Sequence, residues 1–154
     1  GILPNKALVD MIQYGTYGTE DQDHLAIEMI ASYGMAVGVT VFETCVWIGR
    51  FIQAFEQGGH TKVYRKDVKI NLCGSMKAKD ANIRQALIDR FGGPTAIQPQ
   101  KLCPRRKNKT HSELCPTCGG MGISQYGGVL SGLSADMWSA LAVGLTYLDL
   151  QGKS

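Results

Sequence analysis

Apolar residues are distributed along this chain with two different periods, and the change of period marks its elements. Leu25, Ala26, Ile27, Met29 and Ile30 crowd around one carboxylate, Glu28, in a run too short for a helix. The stretch Asp23–Ile30 therefore reads as a strand buried on both faces, as in a parallel sheet. Before it, Pro4 and Asn5 open a helix whose stripe is Leu8, Val9, Met11 and Ile12, and Gly15 closes it. After it, Ser32–Gly38 is a loop with glycine hinges, and a helix follows from about Val39 to Gln57. That helix carries Val41, Cys45, Ile48, Ile52 and Phe55 at steps of four and three. Phe42, Val46, Trp47 and Phe51 broaden its apolar surface, so one side should meet a sheet and the other something else.

Further on, Lys62–Tyr64 is a short second strand and Arg65–Cys73 a short helix with Val68 and Leu72 on one side. A helix from Asp80, taken as its N-cap, to Phe91 aligns Ile83, Leu87 and Phe91 and stops at Gly92, Gly93 and Pro94. Pro94–Leu133 has little periodicity. The last helix starts at the cap residue Ser134, should bury Trp138, Leu141, Leu145 and Leu148, and sets Asp136 and Ser139 one turn apart. Two strands are few for a sheet that must cover so many apolar helices.

A carboxylate inside a buried strand is costly unless a cation or hydrogen-bond donors compensate it. Two readings of Glu28 stand side by side: a ligand to a divalent metal, or a side chain that reaches solvent where the strand ends. For Asp136 the alternatives are a metal ligand and a favourable charge in the first turn of a helix.

Charge changes the picture more than composition does. The net charge is only +3, but 13 of the 16 Lys and Arg lie between Lys62 and Lys109 against three acids, which leaves +10 there and −7 elsewhere. These basic residues fall on several elements, an electrostatic footprint suited to a polyanion such as nucleic acid. No uncharged apolar run approaches the roughly 18 residues that span a bilayer. The N-terminal residues lack the pattern of a signal peptide. With 154 residues, one domain is expected, residues 1–154, with a Cys-rich insertion at about 95–133.

Five cysteines, three of them clustered, suit metal binding in a reducing, cytoplasmic setting better than a disulfide framework. Cys115-Pro-Thr-Cys118-Gly-Gly has the knuckle form in which two thiolates grip zinc. Cys103 is the expected third ligand and His111 the fourth, against the alternative of free thiols in a loop. Cys45 and Cys73 fall on apolar helix positions and read as core, and His24 and His60 as loop residues.

Several longer stretches taken together resemble a known family. Ala26–Met35, Val41–Phe51, Val68–Lys69 with Lys77–Phe91, and Asp136–Val143 are similar, in order, to the phage-encoded branch of the RuvC-type Holliday junction resolvases. The resemblance implies an α/β fold: a ribonuclease H-like mixed sheet flanked by helices, here with its first strands missing and a Cys-rich zinc loop inserted before the last helix. It also implies a homodimer that cuts four-way DNA junctions with paired nicks, using Mg2+ or Mn2+, in the host cytoplasm if the gene belongs to a phage.

Carried over to this chain, Glu28 is the second-motif carboxylate and Asp136 a ligand from the final helix. Ser139 stands where many members have a further Asp. Lys69 and Lys79 match basic positions that serve the junction backbone and the transition state. Lys77, Lys79 and Arg84 belong to the expected DNA surface, and Arg105, Arg106 and Lys107 would extend it through the insertion. Tyr33 is a candidate for stacking on an opened base, or else a core or hinge residue. The family's opening strand, which bears the first metal-binding Asp, has no counterpart. The function expected is a structure-selective, Mg2+-dependent endodeoxyribonuclease acting on branched DNA, and the alternative is a junction-binding protein incomplete for catalysis.

Overall fold

A computed structural model of the chain describes residues 3–14, 24–32, 34, 36–55, 58–104, 115–116, 118, 121 and 123–152. The chain divides into two compact units: Gly1–Ile83 with Ala135–Ser154, and Arg84–Ser134.

The first unit is built on a parallel pair of strands, β1 (His24–Met29) and β2 (Gly59–Tyr64). A parallel pair cannot be joined by a tight turn, so the chain needs a crossover, and α2 (Val39–Ala54) supplies it. The register runs from His24 opposite Gly59 to Met29 opposite Tyr64. α1 (Asn5–Tyr14) packs on α2, and α2 packs on β1. β2 passes directly into α3 (Arg65–Cys73), where the Asp67 carboxylate accepts the Tyr64 backbone N–H at 3.3 Å. α3 ends on Gly74 at φ +65°, a left-handed cap that glycine adopts without strain, and the Gly74 N–H reaches the Ile70 carbonyl at 2.9 Å. The closing helix, α5 (Ala135–Gln151), packs against β1, β2 and α3. The core of this unit is Ile48, Val63, Val68, Trp138, Ala142, Val143 and Thr146.

α4 (Asp80–Arg90) carries the chain from the first unit into the second. The second unit continues through a 3-10 helix, Gly93–Ile97, to a short antiparallel pair, β3 (Lys101–Leu102) and β4 (Ile123–Gln125). Its buried aliphatic residues are Leu87, Ile88, Ala96 and Leu130.

Several expectations are corrected. β1 is half-buried at every position instead of enclosed on both faces. β2 begins at Gly59, three residues before Lys62, so His24 and His60 are strand residues. Asp80 is the first residue of α4, not its cap. Lys79 caps it, with its N–H donating to Asn82 Oδ1 at 2.9 Å and its carbonyl accepting from the N–H groups of Asn82 and Ile83. The stretch after Pro94 holds a 3-10 turn and a strand pair that no periodicity announced. On α5 the buried row is Trp138, Ala142, Val143 and Thr146, while Leu148 is 59% exposed. Leu141 and Leu145 are only half-buried.

Candidate metal centre and carboxylate site

Cys103 follows β3 at once, and Cys115 and Cys118 precede β4, so the strand pair draws both ends of the Cys-rich stretch together. All three thiols are buried, and their sulfurs lie within 4.8 Å of one another. The Cys103 and Cys115 sulfurs are 3.8 Å apart. A tetrahedral zinc with bonds of about 2.3 Å to sulfur sets sulfur to sulfur distances of about 3.8 Å, whereas a disulfide bond is about 2.05 Å. The Cys118 N–H donates to the Cys115 carbonyl at 3.3 Å and the Met121 N–H to the Cys118 carbonyl at 3.1 Å, the tight turns a knuckle requires. The buried Cys103, Cys115 and Cys118 cluster could therefore hold a metal such as zinc. His111, the expected fourth ligand, lies outside the described residues.

At the other candidate site the structure supplies a partner that sequence reasoning did not name. Glu28 sits near the carboxyl end of β1, where open α/β sheets place their ligands. Its side chain is 40% exposed and meets the Arg65 guanidinium at 3.7 Å. Arg65 also donates to the Asp80 carboxylate. One guanidinium thus ties the end of β1 to the start of α4, beside which stands Lys79. Glu28 reaches solvent, as one of its two readings had it, and its counter-charge is the Arg65 guanidinium. Arg65 was hidden because its contact with Glu28 is long-range, although its place directly after β2 marks it as a residue at the carboxyl end of the strands.

The side of β1 that carries Glu28 follows from its pleat. The His24 ring stacks on Tyr147 of α5 with centroids 4.5 Å apart, and His24 Nε2 lies 2.8 Å from Thr61 Oγ1. Residues two and four positions on, Ala26 and Glu28, share that side. Glu28 is about 13 Å along β1 from the stacked pair, and Asp136 is about 16 Å along α5 from it. A second tie to α5 comes from Asn71 of α3, whose side-chain amide donates to Asp149 at 2.7 Å. Both ties fasten the C-terminal part of α5, and Asp136 stands at the other end of that helix.

Asp136 is exposed in the first turn of α5, and Ser139 is half-buried one turn on. Lys77, Lys79 and Arg84 are exposed, and Lys69 is partly so. Tyr33, Arg105, Arg106 and Lys107 lie outside the described residues. Among the described residues, the cysteine trio is the only group of three or more His, Cys, Asp or Glu side chains placed to hold a metal. No helix among them is long and apolar enough to cross a membrane. No family model, curated protein or solved structure matches the chain.

Proposed function

We propose that this chain is a metal-dependent endonuclease for branched DNA, a RuvC-like resolvase on a ribonuclease H-like fold, working as a homodimer on four-way junctions. The observation that carries the reading is the cluster Glu28, Arg65 and Asp80 at the carboxyl end of the parallel strands, with Lys79 next to it. A carboxylate for a cation and positive groups for a phosphate are the parts that phosphodiester hydrolysis needs.

Glu28 and Asp136, with the Ser139 hydroxyl, would hold Mg2+ or Mn2+, since such ions prefer oxygen donors. When bound, the metal supplies a nucleophilic hydroxide and charge stabilisation for the leaving oxygen. Arg65 holds the Glu28 carboxylate in place and Lys79 offers its ammonium to the scissile phosphate. Lys69, Lys77 and Arg84 track the flanking phosphates, contacts that give affinity without sequence readout.

A second reading, a junction-binding protein that does not cut, draws on a specific observation. Glu28 already has Arg65 as its counter-charge, and no carboxylate trio stands ready among the described residues. Both readings are tested by incubating the chain with a synthetic four-way junction and Mg2+ or Mn2+. Paired nicks, reduced by roughly two orders of magnitude or more in Glu28→Gln and Asp136→Asn while binding persists, support the nuclease. Binding without cleavage by the unaltered chain sinks it in favour of the second reading. Failure to bind the junction sinks both.

A further inference from the structure

We propose that one thiophilic metal ion of the zinc class joins Cys103, Cys115 and Cys118, and that the β3–β4 pair and the turns at Cys115 and Cys118 form only when the ion is bound, independently of the core of the first unit. The inference does not rest on the nuclease reading, which uses oxygen ligands elsewhere in the chain.

Burial is the first ground. Cys103, Cys115 and Cys118 are 0%, 2% and 6% exposed, and the buried cluster they form holds, among the described residues, no aliphatic or aromatic side chain. Free cysteines are often buried as small apolar groups, but they then pack into a hydrophobic core. Here three sulfurs form a buried cluster of their own. Burial of that kind calls for a centre that binds sulfur.

The strand pair is the second ground. β3 has two residues and β4 three, and their register is irregular. So short a pairing is too weak to hold Leu102 and Ile123 together by itself. A shared ion joining Cys103 to Cys115 and Cys118 holds them at a point next to each strand. The Ser124 hydroxyl, donating to the Leu102 carbonyl at 3.2 Å, helps to fasten the same end.

The donor set selects the ion. Three thiolates favour Zn2+ over Mg2+, Mn2+ or Ca2+, which prefer oxygen. Binding replaces each S–H proton by a metal–sulfur bond, the protons pass to solvent, and nothing is oxidised or reduced. Because an ordered site does not exist in the unfolded segment, the affinity for the ion is expressed as folding of the segment. The first unit has its own core in Val63, Val68, Trp138 and Ala142, so it does not depend on the ion.

The experiment uses the full chain, purified under reducing conditions and stripped with a chelator. Titration with Co2+ should give, at one equivalent, the visible bands and the thiolate charge-transfer band of tetrahedral sulfur coordination, and Zn2+ should bleach them. Hydrogen exchange at residues 101–125 should speed up by roughly tenfold or more on stripping and recover with one equivalent of Zn2+, while β1, β2 and α5 keep their protection. A Cys115→Ser, Cys118→Ser double variant should lose the charge-transfer band and leave that segment exchanging fast even with Zn2+ present. The proposal is overturned by a missing charge-transfer band, by equal protection of the segment with and without metal, or by loss of protection in the first unit on stripping. The comparison of stripped and reloaded unaltered protein stands whether or not the double variant folds.

Discussion

Gly128 has no room for a side chain. A Cβ there would press on the carbonyl oxygens of Thr95 and Ala96, in a stretch where the Gly128 N–H already donates to the Gln98 carbonyl at 2.9 Å and the Leu130 N–H to Ala96 at 2.8 Å. These are backbone atoms of the 3-10 turn, which cannot swing aside as the tip of a long side chain can. Gly144 is the opposite case: it lies inside α5, and a Cβ there meets nothing within 4 Å. Gly128→Ala should lower stability by about 1–3 kcal/mol, as overpacking does, and Gly144→Ala should raise it by about 0.5–1 kcal/mol through helix propensity and the entropy of the unfolded chain. Urea unfolding followed by circular dichroism measures both, and a neutral Gly128→Ala would mean that the turn sits elsewhere. At this scale the sequence was legible where chemistry is local. The Cys115 to Cys118 knuckle could be read from spacing, and its turn is present. That Glu28 needs a counter-charge was also legible, whereas Arg65 as its source was not, because the contact joins residues far apart in the chain and only the parallel register brings them together.

Helix α5 shows how the start of an element can be read while its buried face is read only in part: Trp138 is buried as expected, Leu141 and Leu145 are half-buried, and Leu148 is exposed. Its start after Ser134 and its length follow from the cap residue and the apolar density, but Leu141, Leu145 and Leu148 suggested a leucine face. Nearly every position from Trp138 to Leu148 is apolar or small, so more than one face satisfies the helical period. The choice falls to packing. Ala142 is fully buried, and Thr146 is buried with its hydroxyl donating to the Ala142 carbonyl at 2.8 Å, which satisfies that hydroxyl inside the row. The two faces make opposite predictions. Ala142→Leu should cost about 1–3 kcal/mol because the helix cannot retreat from the strands, whereas Leu148→Gln should stay within about 0.5 kcal/mol of the unaltered protein. A large loss from Leu148→Gln with a tolerated Ala142→Leu would restore the leucine face. The other helices were better determined: α3 has the expected bounds, Arg65–Cys73, because Asp67 and Gly74 mark its two ends. β3 and β4 escaped notice for the converse reason. Strands of two and three residues carry no alternation to read, and their pairing spans the whole Cys-rich stretch.

At the scale of the molecule, the proposed homodimer would be joined along the exposed apolar side of α2. Val39, Phe42 and Val46 are 73%, 59% and 62% exposed and stand at steps of three and four, so they form one apolar stripe along the helix. Phe42 and Val46 are the same residues whose apolar character made the helix seem too broad for a single contact. A lone exposed apolar residue needs no explanation, but an aromatic and two β-branched side chains in line on one helix make a surface that water disfavours. A four-way junction presents two strands of like geometry to be nicked, and a twofold dimer matches that symmetry through one self-complementary patch. A dimer joined along this stripe should sediment at twice the chain mass, and Phe42→Glu should return it to a monomer by placing charges in the buried seam. The cysteine cluster and the Glu28 site would be unaffected, so Co2+ spectra and folding of the variant should match the unaltered protein. Under the proposed nuclease function, paired nicking of a junction should then give way to uncoordinated single nicks. A monomer in the unaltered protein, or a Phe42→Glu variant that still dimerises, rules out α2 as the seam.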